Sequence, residues 1–261
     1  MKGIQNIGNS CYLNSALQLL FNSDNFCKLL KGTELYNEML NFHSKDTNIF
    51  NPRNIKSIVD RKTTIFRGST QQDSSEFILF LFDIVSSEQL NNCFGIQTNI
   101  SIKCKMMRCL QESSHIETNL LLFLPITSDL SDSYRQYKSN ERLENDSAYQ
   151  CDNCNEKTVG RKRTVTAKWS PNLIIVLKRF DNMMRKDERD ILIPLEWRHG
   201  YKLKGGIIHR GSFNGGHYIY YGYNNTTNQW FIANDSSINI IDINNSITSQ
   251  SYILYYEKNI N

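Results

Sequence analysis

The feature that most constrains the fold is a change of hydrophobic spacing near residue 95. Before it, apolar side chains recur at helical intervals, as in the run from Ala16 to Phe21 and again from Phe77 to Ile84. After it, short apolar runs are separated by turn residues, a texture typical of strands. The sequence therefore predicts one α+β domain over residues 1–261, helical up to about residue 95 and mostly antiparallel β beyond it.

The predicted strands cover residues 100–102, 120–126, 159–169, 173–180, 201–209, 217–223, 230–233 and 252–256, with a helix at 130–138. The longest apolar runs, 120–126 and 173–177, are far shorter than the ~20 residues that cross a bilayer. With 39% hydrophobic and 21% charged residues, the 261-residue chain has a globular composition. We expect no membrane partner.

The net charge argues against a nucleic-acid-binding protein, and the cysteine content indicates a reducing compartment. The net charge of +4 arises from 30 basic and 26 acidic residues and is too mild and dispersed to predict nucleic-acid binding. The densest basic stretch, 157–168, alternates with β-branched residues and is interpreted as the solvated face of a strand. Seven cysteines and no hydrophobic leader predict reduced thiols, in cytosol or nucleus, with catalytic or metal-binding roles.

Cys11 lies where a turn leads into the first predicted helix. Free backbone N–H groups and the helix dipole at that position are expected to lower the thiol pKa from its usual ~8.5. Gly8 suits the preceding turn, and the carboxamide of Asn6 could stabilise an oxyanion in the same space. The alternative interpretation is a small, buried apolar side chain.

A partner for this thiol stands far downstream. His217 follows the glycine-rich stretch 207–216 at the start of a predicted strand, a position that suits a general base. Asn234 and Asp235 follow the next strand, so a hairpin would place one of them beside the imidazole. A satisfied strand histidine and a turn-capping carboxylate remain the alternatives. The order Cys, His, then Asn or Asp is that of papain-type thiol proteases.

Five segments together resemble the ubiquitin-specific protease family of cysteine deubiquitinases, in the family's order and at compatible spacing. Residues 3–18 (GIQNIGNSCYLNSALQ) are similar to its Cys box, and Gly216-His217-Tyr218 with Asn234-Asp235 to its His box. The remaining similarities are those of QQDSSEF (71–77), LKRF (177–180) and SYILYY (251–256).

The resemblance implies roles for these residues. Cys11 would be the nucleophile, His217 the base and Asn6 the oxyanion donor, while Asn234 and Asp235 both remain candidates for the third member of the triad. Asp73 and Glu76 resemble an acidic pair that binds the arginine-bearing tail of ubiquitin, although Glu76 has helix capping as an alternative. Further substrate contacts implied in this way are Gln72, His209, Gly215, Gly216 and Tyr218. Residues 209–215 would form a loop that closes over the tail.

Cysteine spacing predicts a structural zinc site. Cys151 and Cys154 have the Cys-x-x-Cys spacing of a zinc knuckle. In the family such a pair shares one zinc with a second pair, which implies Cys104 and Cys109 here. These two are separated by four residues, and Met106 stands where the first ligand is expected. A remodelled zinc site is predicted, and a degenerate site with loose thiols is the alternative.

The fold implied by the resemblance is a papain-like right hand, with a helical thumb (1–95) and β-rich fingers and palm (96–261). The implied function is hydrolysis of the isopeptide bond after the Gly-Gly end of ubiquitin through a thioester, by a monomer without a catalytic cofactor. Ubiquitin and ubiquitinated proteins would be its partners. The alternatives are a catalytically silent ubiquitin-binding module and an enzyme acting on another Gly-Gly modifier. Small size and abundant Asn suggest a compact viral or parasite genome.

Overall fold

The computed structural model describes residues 1–109, 111–212 and 215–258. Helices occupy most of the first 94 residues, as predicted. They are α1 (Cys11–Phe21), α2 (Asp24–Leu29), α3 (Tyr36–His43), α4 (Arg53–Lys62), α5 (Ser74–Val85) and α6 (Glu88–Phe94). Two short strands, β1 (Gly3–Ile4) and β2 (Ile49–Phe50), pair in parallel beside them. The change from helix to strand falls between Phe94 and Ile96.

Local sequence explains helices α5 and α1, which begin next to predicted site residues. Helix α5 begins after Asp73, whose carboxylate accepts the backbone N–H groups of Ser75 and Glu76 and so satisfies free donors of the first turn. Helix α1 is buried along its whole length, from Cys11 to Phe21. A helix buried on all sides lies inside the protein rather than on its surface, and this places Cys11 between the helical region and the sheet.

The β region begins with β3 (Ile96–Cys104), β4 (Glu112–Asn119), β5 (Leu122–Leu124), β6 (Glu141–Leu143), β7 (Tyr149–Cys151) and β8 (Glu156–Thr158). It continues with β9 (Gly160–Lys168), β10 (Asn172–Leu177), β11 (Glu196–Trp197), β12 (Tyr201–Ser212) and β13 (Gly215–Asn224). The last strands are β14 (Gln229–Asn234), β15 (Ser237–Ile241) and β16 (Ser251–Lys258). Helices α7 (Leu130–Tyr137) and α8 (Asn245–Thr248) interrupt the strands.

Most of the strands form two sheets. The larger has the order β15-β14-β13-β12-β16-β10-β5, with β11 paired to β12, and the smaller has the order β4-β3-β9-β6. Strands β7 and β8 form a separate hairpin. Pairing is antiparallel, as predicted, except between β5 and β10 and between β1 and β2. We call the four-stranded sheet the fingers sheet and the larger one the palm sheet.

Two apolar cores lie on opposite faces of the palm sheet. Strand β10 is buried throughout and divides its side chains between them, because successive residues of a strand point to opposite faces. Ile174 and Val176 pack with helices α1 and α5 in one core, whereas Leu173 and Ile175 pack with α7 in the other. The helical region is therefore bound to the palm by one continuous core.

The sequence analysis missed some strands and gave others the wrong bounds. Strands β4 and β15 were not predicted, since β4 is polar and exposed along most of its length and offers no apolar run. The strand predicted over 173–180 ends at Leu177, and that predicted over 120–126 shrinks to β5. Within the described residues, no helix is long and apolar enough to span a membrane.

Arg179 holds together the chain segments that follow β10. Its side chain is 1% exposed, and its guanidinium donates to the backbone carbonyls of Asp187 and Arg189 at 2.9 Å and of Ser249 and Ser251 at 2.6 Å. Burial lowers the pKa of this arginine, yet a guanidinium stays charged in proteins. The interaction fixes the segment around residues 187–189 to the start of β16.

Replacing Arg179 by Met should strongly destabilise the fold, because four carbonyl oxygens lose a hydrogen bond from the guanidinium, two of them in buried positions. We expect the free energy of unfolding, measured by urea denaturation, to fall by about 3 kcal/mol or more. Arg61→Ala is the control, since Arg61 forms an exposed ion pair with Glu34, and we expect a loss below about 1 kcal/mol there. Similar losses in both variants would contradict this account of Arg179.

Candidate active site

Cys11 is the first residue of helix α1 and lies against strand β13. Cys11 is 4% exposed, and the backbone N–H of Tyr218 is near enough to its sulfur to lower the thiol pKa. Since Tyr218 directly follows His217, the predicted nucleophile on α1 lies against the strand that carries the predicted base. Residues some two hundred positions apart in the chain are thus brought together, as the sequence predicted.

The pKa of Cys11 departs from the prediction. Burial raises the thiol pKa, and the negative charge of Asp235 raises it further. The backbone N–H groups of Tyr218, Tyr12 and Cys11 itself lower it, as expected for a helix start, but they do not outweigh burial. The predicted lowering is therefore wrong for this state of the site: the thiol holds its proton to higher pH, and a base is needed to remove it.

Asn234 lies beside the base. Nε2 of His217 is 2.6 Å from Oδ1 of Asn234, at the end of strand β14. Because a carboxamide oxygen only accepts, this hydrogen bond requires a proton on Nε2 and leaves Nδ1 of a neutral ring free to accept another.

Asp235 faces away from the imidazole. One carboxylate oxygen accepts the amide of Asn14 at 2.7 Å, and the other accepts the amide of Asn6 at 2.9 Å. Its φ of 49° is left-handed, a conformation that Asp adopts more readily than most residues. Asn14, on α1 and 2% exposed, was not predicted, although its position three residues after Cys11 places it on the same side of the helix.

Asn6 is held from both ends of its carboxamide. Its oxygen accepts the backbone N–H groups of Gly8 and Ser10, and its nitrogen donates to Asp235. An amide nitrogen carries two hydrogens, so one remains for a ligand.

Asp73 and Glu76, the predicted acidic pair, lie in different environments. Both oxygens of Asp73 are occupied within the protein, one by the start of α5 and the other by the hydroxyls of Tyr252 at 2.7 Å and Tyr218 at 3.3 Å. Glu76 is exposed, and burial of part of the group together with the charge of Asp73 raises its pKa. Of the two, Glu76 is the carboxylate available to a cation.

The segment predicted as a loop over 209–215 is largely a hairpin. Strand β12 runs through Ser212 and β13 begins at Gly215, so the loop prediction is wrong for residues 209–212, because backbone pairing there continues to Gly211 and Ser212. Phe213 and Asn214 lie outside the described residues.

Close packing explains one glycine of this hairpin. A Cβ on Gly216 would overlap the ring of His209, whereas a Cβ on Gly215 would meet no described atom within 4 Å. His209 is 5% exposed and packs against Phe180 and Tyr218. Burial and the charge of Lys186 lower its pKa to about 4, so its ring is neutral at physiological pH.

Two polar residues missed by the sequence analysis hold the same hairpin. The side-chain amide of Gln71 both accepts the N–H of Gly216 at 2.8 Å and donates to its carbonyl at 3.0 Å. Lys186 donates to the carbonyls of His209 and Gly211. The predicted contact residue Gln72 instead donates to the carbonyl of Ile65. Long-range backbone contacts of this kind leave no local sequence pattern.

The four cysteines predicted to bind zinc lie together. The sulfurs of Cys104, Cys109, Cys151 and Cys154 are all within 4.8 Å of one another, where β3 meets the β7–β8 hairpin. In a tetrahedral site with Zn–S bonds near 2.3 Å, the sulfurs stand roughly 3.8 Å apart. The separations of 3.9 Å for Cys104–Cys154 and 3.7 Å for Cys109–Cys151 match that value. This cluster can hold a structural zinc.

The surroundings of the cluster also suit zinc thiolates. The backbone N–H of Gln111 lowers the pKa of the Cys109 thiol, and the side-chain amide of Asn153, which donates to its sulfur, lowers it further. Hydrogen bonds to ligating sulfurs are common around such sites. Met106 is 43% exposed and takes no part in the cluster, so the four-residue spacing of Cys104 and Cys109 is compatible with ligation.

We expect about one zinc per chain in the purified protein, as measured by plasma mass spectrometry. Cys151→Ser should reduce this to near zero, since Cys151 is fully buried within the cluster. Cys93→Ser is the control, because this half-buried thiol lies outside the cluster and its loss should leave the metal content unchanged. Native protein without metal would contradict the assignment.

Comparisons with known proteins agree with this geometry. The family model described as ubiquitin carboxyl-terminal hydrolase matches residues 2–256. Ubiquitin carboxyl-terminal hydrolase 4 of Vanderwaltozyma polyspora is 23% identical over 98% of this chain, and ubiquitin carboxyl-terminal hydrolase 5 of Saccharomyces cerevisiae is 24% identical over 98%. The chain spans only 41% and 44% of those two relatives.

The fold is also similar to a solved structure. The SAGA DUB module Ubp8/Sgf11/Sus1/Sgf73 bound to ubiquitin aldehyde contains a chain that matches all of this one and is 21% identical. The match covers 70% of that chain, with a TM-score of 0.83. The α+β fold predicted from the family resemblance is thereby confirmed. With a family model that matches nearly its whole length, the chain belongs to the ubiquitin carboxyl-terminal hydrolase family.

Proposed function

We propose that this protein is a thiol deubiquitinase that cleaves the isopeptide bond after the C-terminal Gly-Gly of ubiquitin. The observation that carries the proposal is the position of the Cys11 sulfur at the backbone N–H of Tyr218, next to a His217 ring bound by Asn234. A receptor that only binds ubiquitin has no need of this arrangement. Family membership supplies the substrate class.

In the first half of the reaction, His217 removes the thiol proton as the sulfur attacks the glycine carbonyl. This transfer is required because burial keeps Cys11 protonated. The oxyanion that forms would accept the second amide hydrogen of Asn6, whose first is already held by Asp235. His217 then gives its proton to the departing lysine amine, which leaves a thioester on Cys11.

In the second half, water attacks the thioester. His217 takes a proton from this water, and the sulfur leaves as a thiolate that regains the proton from the imidazolium. The products are free ubiquitin and the restored thiol, so the reaction needs no catalytic cofactor. The zinc cluster, built at the far end of β3, would have a structural role only.

We assign the third triad position to Asn234 and a separate role to Asp235. The assignment follows from contacts, since Asn234 bonds to His217 while Asp235 bonds to Asn6 and Asn14. Asn234 would orient the imidazole, and Asp235 would orient the oxyanion donor.

The substrate tail would enter between Glu76 and the hairpin that carries His217. Glu76 offers a carboxylate for a basic side chain. Gly215 leaves open space for an extended tail, and the contact of Gly216 with Gln71 fixes the strand edge beside it. Asp73, His209 and Tyr218, being largely enclosed, would support this cleft from behind, and Gln72 stays a predicted contact. We further propose a monomer in a reducing compartment, consistent with seven free thiols.

A ubiquitin probe with a C-terminal electrophile tests the proposal. We expect the native protein to form a covalent adduct, detected as a mass increase, and Cys11→Ala to form none. Cys27→Ala is the matched control, because this thiol lies away from the cleft, and it should react like the native protein. If only a probe built on another Gly-Gly modifier reacts, the substrate class is wrong. If none reacts, the silent binding module is favoured.

The third triad position can be tested by two substitutions at Asn234. Asn234→Ala removes the acceptor at His217, and we expect kcat/KM on a fluorogenic ubiquitin substrate to fall about a hundredfold. Asn234→Asp keeps an oxygen acceptor there, and we expect most of the activity to remain. Equal, severe losses in both variants would show that the carboxamide does more than orient the ring.

A further inference from the structure

The fingers sheet carries cations in register on one face. Lys103 on β3 is paired with Arg161 on β9, which is in turn paired with Arg142 on β6. Since paired residues of adjacent strands point to the same side, the three cations form a row across the sheet. Arg163, two residues after Arg161 on β9, extends the row along the same face. We call this surface the basic face.

The row is poorly neutralised by the protein itself. Like charges directly opposite each other in a sheet are destabilising. Arg142 is paired with Glu144 at 2.7 Å, but among the described residues Lys103, Arg161 and Arg163 form no ion pair. The one carboxylate in the row is that of Glu112, opposite Lys103 on the edge strand β4. The basic face therefore carries excess positive charge, which an external anion would neutralise.

Two shallow depressions on this face meet at Arg163. One, of about 170 Å³, is lined by the cations Lys103, Arg161 and Arg163 and by Ser101, Glu112 and Asn140. The other, of about 370 Å³, is lined by Arg163 and Val165 together with Arg135 and Lys138 at the end of helix α7. Lys103, Arg161 and Arg163 therefore line two neighbouring hollows rather than pointing separately into solvent.

An exposed apolar spot adjoins the cations. Asn99 on β3 is flanked by Ile116 on β4 and Val165 on β9, in register on the same face. Ile116 is 63% exposed and Val165 is 38% exposed. A ligand that covers the basic face would thus meet both cations and apolar side chains.

The opposite face of the fingers sheet is turned toward the palm. On that face, Thr98 and Thr164 line a cavity with Phe123 of the palm. The hydroxyl of Tyr134 on α7 donates to Thr166 of the same face. That face is therefore covered in part by the palm and by α7, whereas Arg142, Arg161 and Arg163 of the basic face stay exposed.

We infer that the basic face is a docking surface for an acidic segment of a partner protein, one that carries apolar side chains among its carboxylates. Charge complementarity and the guanidinium groups favour carboxylates, which Arg binds through paired hydrogen bonds. The apolar spot favours a protein over a nucleic acid. The described residues of this face include no aromatic side chain on which a base could stack.

The test uses a fluorescein-labelled peptide rich in Asp and Glu with interspersed Leu, and fluorescence anisotropy at an ionic strength of about 0.15 M. Saturable binding is expected, weakened by about tenfold or more in the double variant Arg161→Glu, Arg163→Glu. The matched control is Lys162→Glu, which reverses a charge between these two residues but on the opposite face. It should leave the affinity unchanged.

Other outcomes overturn the inference. A peptide that does not bind, or that loses the same affinity in Lys162→Glu, would show that the basic face is not its site. A labelled DNA duplex that binds more tightly than the peptide would identify a nucleic-acid surface instead. The double variant should keep the native thermal midpoint, because both arginines are exposed, and a normal midpoint assigns lost binding to the surface rather than to unfolding.

Discussion

The packing of helix α1 against strand β13 is the contact on which the site depends. It places the Cys11 sulfur at the backbone N–H of Tyr218, beside the residue that acts as base in the proposed reaction. This packing also buries the thiol, which raises its pKa and makes proton transfer to His217 part of the proposed reaction. The same helix carries Asn14, which holds Asp235, which in turn holds Asn6. One buried helix thus positions both the nucleophile and the oxyanion donor.

Sequence reasoning located the chemical groups better than it described their environment. Cys11 and His217 could be found because helix starts, glycine-rich stretches and strand starts leave local patterns. Choosing between Asn234 and Asp235 could not be done in this way, since adjacent residues on a turn point in directions that only the hairpin geometry defines. The thiol pKa was wrongly predicted because burial depends on the whole fold.

The polar residues that hold the hairpin beside the site were not predicted, for a related reason. Gln71 and Lys186 act by bonding to backbone groups of distant strands, and any residue can supply those groups. The cysteine cluster was predicted because its ligands are chemically distinctive, even at an unusual spacing. Strand β4, in contrast, has few apolar residues and is held mainly by backbone pairing to β3. Features with distinctive side chains were therefore predicted from the sequence, whereas features that depend on backbone pairing were missed.

The two acids at the start of α5 differ in what their charges do. Asp73 joins the helix start to two tyrosines of the palm, so its carboxylate maintains the alignment of the two walls of the cleft. The carboxylate of Glu76, one turn along, has no hydrogen bond or ion pair to either wall among the described residues. In the proposed mode of binding, selectivity for the tail can therefore drift through Glu76 during evolution while the cleft keeps its shape, whereas a change at Asp73 would alter recognition and architecture together.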